Sequence, residues 1–275
     1  MTYLPVDEFG MVSVSDVEAA ICDDTALITI MMANNEIGTL QPIKEIAEIA
    51  KARGVLFHTD AVQAAGILDI SVENLGVDLL SISAHKFHGP KGVGALYVKK
   101  GVKITNLIHG GGQEKHKRAG TENVPYIVAM ATALKIACDE REENAARISA
   151  LRDKIISGIQ EKIPFVKLNG HPEKRLPGNV NFSFKFIEGE SLLLWLDINE
   201  IAVSSGSACA SGSLDPSHVL LAMGLDHGTA HGSLRISLGD QNTEEEADKL
   251  LEVLPPIVEK LRAMSPLYED VLKNN

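Results

Sequence analysis

The composition of this 275-residue chain is that of a folded, acidic protein with room for one large domain or two ordinary ones. Hydrophobic residues make up 45% of the chain and charged residues 23%, which excludes a disordered chain and a disulfide-stapled miniprotein. The net charge of -11 and the aromatic content of 4% argue against a nucleic-acid binder, which needs a basic surface and stacking groups.

Signals for a membrane or for export are missing from the sequence. No apolar run reaches the roughly 18 residues of a membrane-spanning helix, and the opening MTYLPVDEFG lacks a basic and then apolar pattern. The three cysteines, Cys22, Cys138 and Cys209, are odd in number and lack metal-type spacing. We therefore expect a cytoplasmic protein without a membrane partner, a nucleic-acid partner or a metal site.

Strand and helix patterns alternate through the first half of the chain. Buried-strand patterns are found at 26–32, 55–57, 78–82 and 94–98. An amphipathic helix is predicted over 42–53, with Pro42 in its first turn and Gly54 after its end. This order predicts a mostly parallel sheet with right-handed crossovers, and hence an α/β fold.

The second half begins within a long predicted helix that runs from about residue 125 past 156. An acidic block inside this helix marks the predicted boundary, giving a large domain over 1–140 and a smaller α+β domain over 141–275. Later elements are predicted as strands at 180–184 and 233–237, a helix at 191–197 and a C-terminal helix from residue 243. Thr243 and Glu246 form a capping-box pattern at the start of that last helix.

Polar side chains follow three successive predicted strands. The sequences at these points are Asn34-Asn35-Glu36, His58-Thr59-Asp60 with Gln63 close behind, and Ser83-Ala84-His85-Lys86. Because ligands bind beyond the carboxyl ends of parallel strands, we expect these side chains to line one edge of the sheet.

A lysine, an aspartate and a serine–histidine pair are the groups that a pyridoxal phosphate site requires. Lys86 can form a Schiff base with an aldehyde, and Asp60 can keep a pyridinium nitrogen protonated. Ser83 and His85 can bind a phosphate. Taken singly, Asp60 reads as a helix cap, Lys86 as a surface charge and His85 as a structural histidine, so the prediction depends on the combination.

Two features of the second half add a nucleophile and a carboxylate-binding group. Cys209 lies among small and hydroxylated residues in the segment 204–212, where little bulk is available to bury it, so it is a candidate thiolate nucleophile. Cys22 and Cys138 lie beside helical patterns and are expected to be structural. Arg235 stands between apolar neighbours and can form either a structural ion pair or a clamp for a substrate carboxylate.

Taken together, these segments resemble the NifS/IscS-type cysteine desulfurases of the class V aminotransferase family. The matching stretches are MMANNEIGT (31–39), HTDAVQ (58–63), SISAHKFHGPKGVGALYV (81–98), GGGQEKHKRAGTENVP (110–125), SSGSACAS (204–211) and SLRISLG (233–239). The resemblance implies a pyridoxal phosphate-dependent transferase of the aspartate aminotransferase-like fold type I.

The resemblance also implies roles for the residues at the strand ends. Lys86 would bind the cofactor aldehyde and then act as an acid and base, next to His85. Asp60 would pair with the pyridinium nitrogen, and Gln63 would hydrogen-bond the phenolic oxygen of the ring. Ser83 and His85 would bind the phosphate.

The remaining implied roles concern the substrate, the thiol and the partners. Asn35, beside the cofactor, and Arg235 would orient the substrate carboxylate. Cys209 would take the sulfur of L-cysteine as a persulfide and release L-alanine, for transfer to a sulfur-acceptor or iron–sulfur scaffold protein. Thr121 would reach the phosphate in a neighbouring subunit, which implies a homodimer.

The family normally has a long segment before the point that matches Met1, with a phosphate-binding turn and a ring-stacking histidine that this sequence lacks. The resemblance therefore implies an N-terminally truncated desulfurase with an incomplete large-domain sheet and an open apolar face near 26–32. Two alternatives stay open: a catalytically impaired paralogue that binds or dimerises with partners, and a selenocysteine lyase.

Overall fold

A computed structural model describes residues 1–205 and 216–273, which divide into two compact units. The unit that we call the Lys86 unit comprises residues 21–32 and 42–141, and the Arg235 unit comprises residues 1–20, 33–41 and the part from 142 onward. The predicted domains 1–140 and 141–275 stay a prediction. In the part of the chain that is described, no helix is long and apolar enough to cross a membrane.

Helices and strands alternate along the first half of the chain, and helices predominate in the second. The helices are α1 (Val14–Ala20), α2 (Ile43–Arg53), α3 (Val72–Leu75), α4 (Val124–Asp139), α5 (Arg141–Lys162), α6 (Gly189–Ile198), α7 (His218–Ala222), α8 (His227–His231), α9 (Glu244–Ala263) and α10 (Pro266–Lys273). The strands are β1 (Leu27–Met31), β2 (Leu56–Asp60), β3 (Leu79–Ser83), β4 (Gly94–Val98), β5 (Gly112–Gln113), β6 (Arg118–Ala119), β7 (Val166–Leu168), β8 (Asn179–Phe184) and β9 (Ser233–Ser237). Two short 3-10 turns cover Ala84–Phe87 and Glu114–His116.

The Lys86 unit is built around a four-stranded mixed sheet in the order β1-β2-β3-β4. Strands β1, β2 and β3 are parallel, and β4 returns antiparallel to β3. The mostly parallel α/β sheet predicted from the sequence is therefore confirmed. One prediction within it was wrong, because β2 does not end at Phe57 but continues through Asp60, where β1 and β3 supply hydrogen-bonding partners on both sides.

Helix α2 has the boundaries that its proline and glycine predict. Pro42 precedes its first residue, and Gly54 follows its last residue in the left-handed conformation at φ 68°, with its N–H bonded to the carbonyls of Ala50 and Lys51. Its apolar stripe, with Ile46 fully buried, packs on the sheet. Packing of α2 thus holds the connection between β1 and β2 against the sheet.

The prediction of a single long helix from residue 125 past 156 was wrong. The helix stops at Glu140, which separates α4 from α5. The break falls in the acidic block. Glu142 and Glu143 occupy the first turn of α5, where the positive end of the helix dipole favours carboxylates. Lys135 forms an ion pair with Asp139 in the last turn of α4.

The Arg235 unit contains an antiparallel sheet in the order β7-β8-β9, with all six residues of β8 buried. Alternation along β8 places Val180, Phe182 and Phe184 in the main hydrophobic core. Its polar residues, Asn179, Asn181 and Ser183, alternate with these three. The capping box at Thr243 and Glu246 that begins α9 is confirmed.

Candidate active site

The carboxyl ends of β2 and β3 place a carboxylate and a hydroxyl on neighbouring strands. Asp60 is the last residue of β2 and pairs with Ser81 of β3, and Ser83 is the last residue of β3. Because side chains two residues apart point to the same side of a sheet, Asp60, Ser81 and Ser83 share one face. The Asp60 carboxylate is exposed, and its Oδ1 accepts a hydrogen bond of 2.9 Å from the Val62 N–H.

The 3-10 turn that follows β3 presents His85 and Lys86. Ser83 Oγ lies 2.8 Å from His85 Nδ1, so the hydroxyl and the imidazole form a hydrogen-bonded pair. The turn is held by Phe87, which is buried against Ala65, Ala84 and the facing side of α4. Lys86 is half-buried and has no ion pair or hydrogen bond with any described residue, so its amine is free to react.

His58 is a site residue to which the sequence interpretation gave no role. Its Nδ1 lies 2.7 Å from Thr29 Oγ1 on β1, and its Nε2 lies 2.8 Å from Ser81 Oγ on β3. Burial lowers the pKa of this imidazole, and the nearby Asp60 carboxylate opposes that effect. The neutral imidazole of His58 therefore bridges two hydroxyls. The sequence feature that could have revealed His58 as a site residue is its position two residues before Asp60, which places both side chains on the same face of β2.

The other cofactor-binding residues predicted in the Lys86 unit lie outside this hydrogen-bonded group. Gln63 is half-buried just after β2, and Thr121 is exposed between β6 and α4. Neither side chain makes a hydrogen bond to another described residue. Both amide and hydroxyl are thus available for a ligand.

In the Arg235 unit, the structure brings Arg235 and Asn35 together. Arg235 Nη1 donates to the backbone carbonyl of Asn35 at 3.1 Å, and Nε donates to Ser204 Oγ at 3.1 Å. Backbone hydrogen bonds of 2.7 and 3.0 Å also join Arg235 to Ser204. These hydrogen bonds fix the position of the Arg235 guanidinium within the Arg235 unit.

The predictions for the three cysteines fare differently. Cys209 lies outside the described residues. Cys22 and Cys138 are both exposed, so the expectation that they are buried structural cysteines was wrong. Among the described residues, no group of three or more metal-ligating side chains is found.

The donor set of the Lys86 unit fits pyridoxal phosphate. Lys86 offers an amine for its aldehyde, and Asp60 offers a carboxylate for its pyridinium nitrogen. The hydrogen-bonded pair of Ser83 and His85 offers polar hydrogens for its phosphate. These four residues come from two adjacent strand ends of one unit.

Comparison with known proteins agrees with this chemistry. Residues 1–250 match the aminotransferase class-V family. The cysteine desulfurase IscS of Clostridium botulinum (strain Hall) is 61% identical over 276 residues, which cover 100% of this chain and 70% of that protein. Among solved structures, a NifS-like protein matches with a TM-score of 0.86 and 44% identity over 94% of this chain and 68% of its own.

A structure of SspA in complex with cysteine is also similar, with a TM-score of 0.72 and 36% identity over 88% of this chain and 67% of its own. The sheet order, the strand-end residues and these matches agree, and they confirm the predicted fold type I. The chain therefore belongs to the class-V aminotransferase family, on the branch of the pyridoxal phosphate-dependent NifS/IscS-type cysteine desulfurases.

Proposed function

We propose that this protein is a pyridoxal phosphate-dependent cysteine desulfurase that converts L-cysteine to L-alanine and supplies sulfur for iron–sulfur clusters or thio-cofactors. One observation carries the proposal. Asp60 and Ser83 end two adjacent strands, and His85 and Lys86 directly follow Ser83, in a chain that is 61% identical over its whole length to a cysteine desulfurase IscS.

The residues of the Lys86 unit would hold the cofactor and move protons. When bound, pyridoxal phosphate supplies an electron sink for reactions at the α-carbon of an amino acid. Lys86 would bind the aldehyde and then, as a free amine, carry a proton to and from the α-carbon. Asp60 would hold the proton of the pyridinium nitrogen, and Gln63 would donate to the ring hydroxyl. Ser83 and His85 would bind the phosphate.

Arg235 and Asn35 would orient the substrate. Two of the guanidinium nitrogens, Nε and Nη1, already donate to Ser204 Oγ and to the Asn35 carbonyl. Nη2 makes no hydrogen bond to a described residue and is left for the carboxylate of L-cysteine. A guanidinium fixed on two sides loses little conformational entropy when it binds its ligand.

Cys209 would be the nucleophile. Its thiolate would attack the sulfur of bound L-cysteine, so that a new S–S bond forms as the C–S bond of the substrate breaks. The carbon skeleton would leave as L-alanine after protonation, and the persulfide would pass to a sulfur-acceptor or iron–sulfur scaffold protein. A thiol with this role needs a reducing compartment, which supports a cytoplasmic location.

The proposed assembly is a homodimer. Thr121 is exposed in the Lys86 unit, next to the apolar helix α4, and its hydroxyl would reach the phosphate bound by the neighbouring subunit. The proposed site involves no metal ion, no nucleic acid and no membrane.

Binding of the cofactor to Lys86 is the first test of this proposal. Purified protein mixed with pyridoxal phosphate is expected to develop the absorption band at ~420 nm that lysine-bound cofactor gives. Lys86→Ala should abolish the band, whereas the control Lys91→Ala, which removes an exposed lysine of the same unit, should keep it. Cys209→Ser should keep the band and lose sulfide release from L-cysteine.

A band of equal strength in Lys86→Ala would contradict the assignment of the reactive lysine. Sulfide release at an unchanged rate from Cys209→Ser would contradict the assignment of the nucleophile.

A further inference from the structure

His58 and Asp60 lie two residues apart on β2, so their side chains share one face of the sheet. Asp60 is exposed at the end of the strand, and its carboxylate forms no ion pair with a described residue. An imidazole and a carboxylate so placed can pair with each other, which would occupy the charge that the proposed cofactor requires. The ring of His58 is bonded elsewhere.

Both ring nitrogens of His58 contact hydroxyl groups of the neighbouring strands. Thr29 lies directly opposite His58 in the register of β1 and β2, and its Oγ1 is 2.7 Å from Nδ1. On the other side, Oγ of Ser81 on β3 is 2.8 Å from Nε2. Both lengths are those of well-formed hydrogen bonds, so the ring is held from two directions.

The position of Ser81 places its hydroxyl at the level of the carboxylate. The register partner of Ser81 on β2 is Asp60, whereas the partner of His58 on β3 is Leu79. The ring of His58 therefore reaches diagonally across to β3, where it is bonded by a neutral group. Nε2 is thus engaged by a hydroxyl in the strand position that faces Asp60.

Asp60 is the charged group that acts on His58. The apolar side chains that β1, β3 and β4 contribute to the same face are Leu27, Met31, Leu79, Leu96 and Val98. Ser83, also on this face, is uncharged, and His85 in the turn after it is bonded to its hydroxyl. Burial lowers the pKa of His58, and the Asp60 carboxylate opposes this effect.

We propose that His58 is a positioning residue that leaves the Asp60 carboxylate free for the pyridinium nitrogen of the cofactor. The hydroxyls of Thr29 and Ser81 hold its ring in a bridge and so keep it from pairing with the carboxylate. The inference rests on the proposed function and adds a role for three residues that the proposed reaction does not use. His58 acts through Asp60 and takes no part in the chemistry itself.

A protonated His58 would interfere with cofactor binding in two ways. Its charge would pair with the Asp60 carboxylate, and it would repel the positive pyridinium ring. Both effects require a protonated imidazole, so they arise at acidic pH and disappear at alkaline pH. Loss of a hydroxyl from the bridge should therefore weaken cofactor binding in a pH-dependent way, which a purely structural bridge would not do.

The first measurement is the titration of the His58 ring by NMR in the full chain without cofactor. Its signal is identified by its loss in His58→Gln, since the chain has nine histidines. The pKa of His58 should lie below its ordinary value of 6.5 in the parent and above that value in Ser81→Ala. Ser81→Thr keeps a hydroxyl and should titrate like the parent.

Three further variants separate the ion pair from the loss of the bridge. Asp60→Asn added to Ser81→Ala should return the pKa of His58 to below 6.5, because the carboxylate that raises it is gone. Thr29→Ala frees the other ring nitrogen at an exposed position and should raise the pKa of His58 as Ser81→Ala does. The control Thr105→Ala removes an exposed threonine of the same unit and should have no effect.

The second measurement is the affinity for pyridoxal phosphate, read from the absorption band of the lysine-bound cofactor. Compared with the parent at the same pH, Ser81→Ala should bind equally well at about pH 8.5 and about fivefold more weakly at about pH 6, the effect of one partly exposed ion pair. His58→Gln added to Ser81→Ala should abolish this difference between the two pH values, because glutamine carries no charge.

A pKa of His58 that stays at the parent value in Ser81→Ala and Thr29→Ala would overturn the inference. Thr29→Ala decides the matter if Ser81→Ala does not fold. A raised pKa of His58 that persists after Asp60→Asn would also overturn it, and so would a loss of affinity that is equal at both pH values. The titration needs no cofactor, so a parent that fails to bind pyridoxal phosphate would refute the proposed function and leave the titration to decide this inference.

Discussion

His58 is a single side chain that joins three strands. Its two ring nitrogens contact hydroxyls on β1 and β3, while its backbone belongs to β2. A neutral imidazole donates a hydrogen bond through one nitrogen and accepts one through the other. It can therefore bond to both hydroxyls, because a hydroxyl can act as either donor or acceptor. Protonation would leave both nitrogens as donors inside a half-buried site. The lowered pKa of His58 is the expected result.

This lowered pKa predicts how stability depends on pH. Between the folded-state pKa and the ordinary value of 6.5, native His58 binds fewer protons than unfolded His58 does. The free energy of unfolding should therefore decrease as the pH falls through that window. Urea denaturation of the protein and of His58→Gln between about pH 5 and pH 7 should show a shallower slope for the variant. Equal slopes would contradict a neutral native His58.

At the scale of elements, β8 and the segment 33–41 are connected through Arg175. This guanidinium is 3% exposed and donates to the carbonyls of Asn179, His171, Ile37 and Asn169 and to the side chain of Asn179, at 3.2 to 3.4 Å. Burial lowers its pKa to about 10, and the neighbouring charge of Arg152 adds to this. Arg175 thus stays charged at neutral pH.

Removal of Arg175 should destabilise the Arg235 unit. Arg175→Met keeps much of the volume but leaves several buried carbonyls without a donor, so the free energy of unfolding should fall by more than about 2 kcal/mol. The control Lys174→Met changes an exposed neighbour and should stay within about 0.5 kcal/mol of the parent. Urea denaturation measures both. A small loss in Arg175→Met would show that these carbonyls find other partners.

Helices and strands whose ends are marked by nearby residues could be predicted from the sequence. Those whose ends depend on contacts with other strands could not. Strand β9 has the predicted bounds, and α9 begins at the predicted capping box. The extension of β2 to Asp60 depends on β1 and β3, which no window of sequence contains. The helix break at Glu140 was missed because apolar residues continue on both sides of it.

The same distinction holds for the candidate site. Ser83, His85 and Lys86 are close in sequence, so their grouping could be predicted from one motif. The bond between Glu36 and Ser217 joins residues 181 positions apart, and only the tertiary fold brings them together. His58 is the first residue of the motif HTDAVQ, but its two hydrogen-bonding partners are on other strands.

At the scale of the whole molecule, the Lys86 unit exposes much apolar surface. Helix α4 has no fully buried residue, and Val128 on it is 59% exposed. Leu27 and Met31 are exposed on β1, in accord with the predicted apolar face near 26–32. Exposed apolar side chains in this number are typical of an interaction site, which supports the proposed homodimer.

A charge placed on α4 should weaken self-association. Val128→Glu puts a carboxylate on the exposed apolar side of this helix, where burial against a second copy would cost several kcal/mol. Sedimentation velocity should show a dimer for the parent and a shift toward monomer for the variant. Gln160→Glu adds the same charge to an exposed position on α5 and should leave the dimer intact. An unchanged Val128→Glu dimer would place the interface elsewhere.

The interleaving of the two units has a consequence for biosynthesis. Asn35 and Glu36 belong to the Arg235 unit, but their partners Arg235 and Ser217 follow 200 and 181 residues later. During translation, the segment 33–41 emerges long before β8 and β9 exist to receive it. Closing loops of this length is entropically costly and slow. The Arg235 unit can therefore complete its folding only after β9 has left the ribosome.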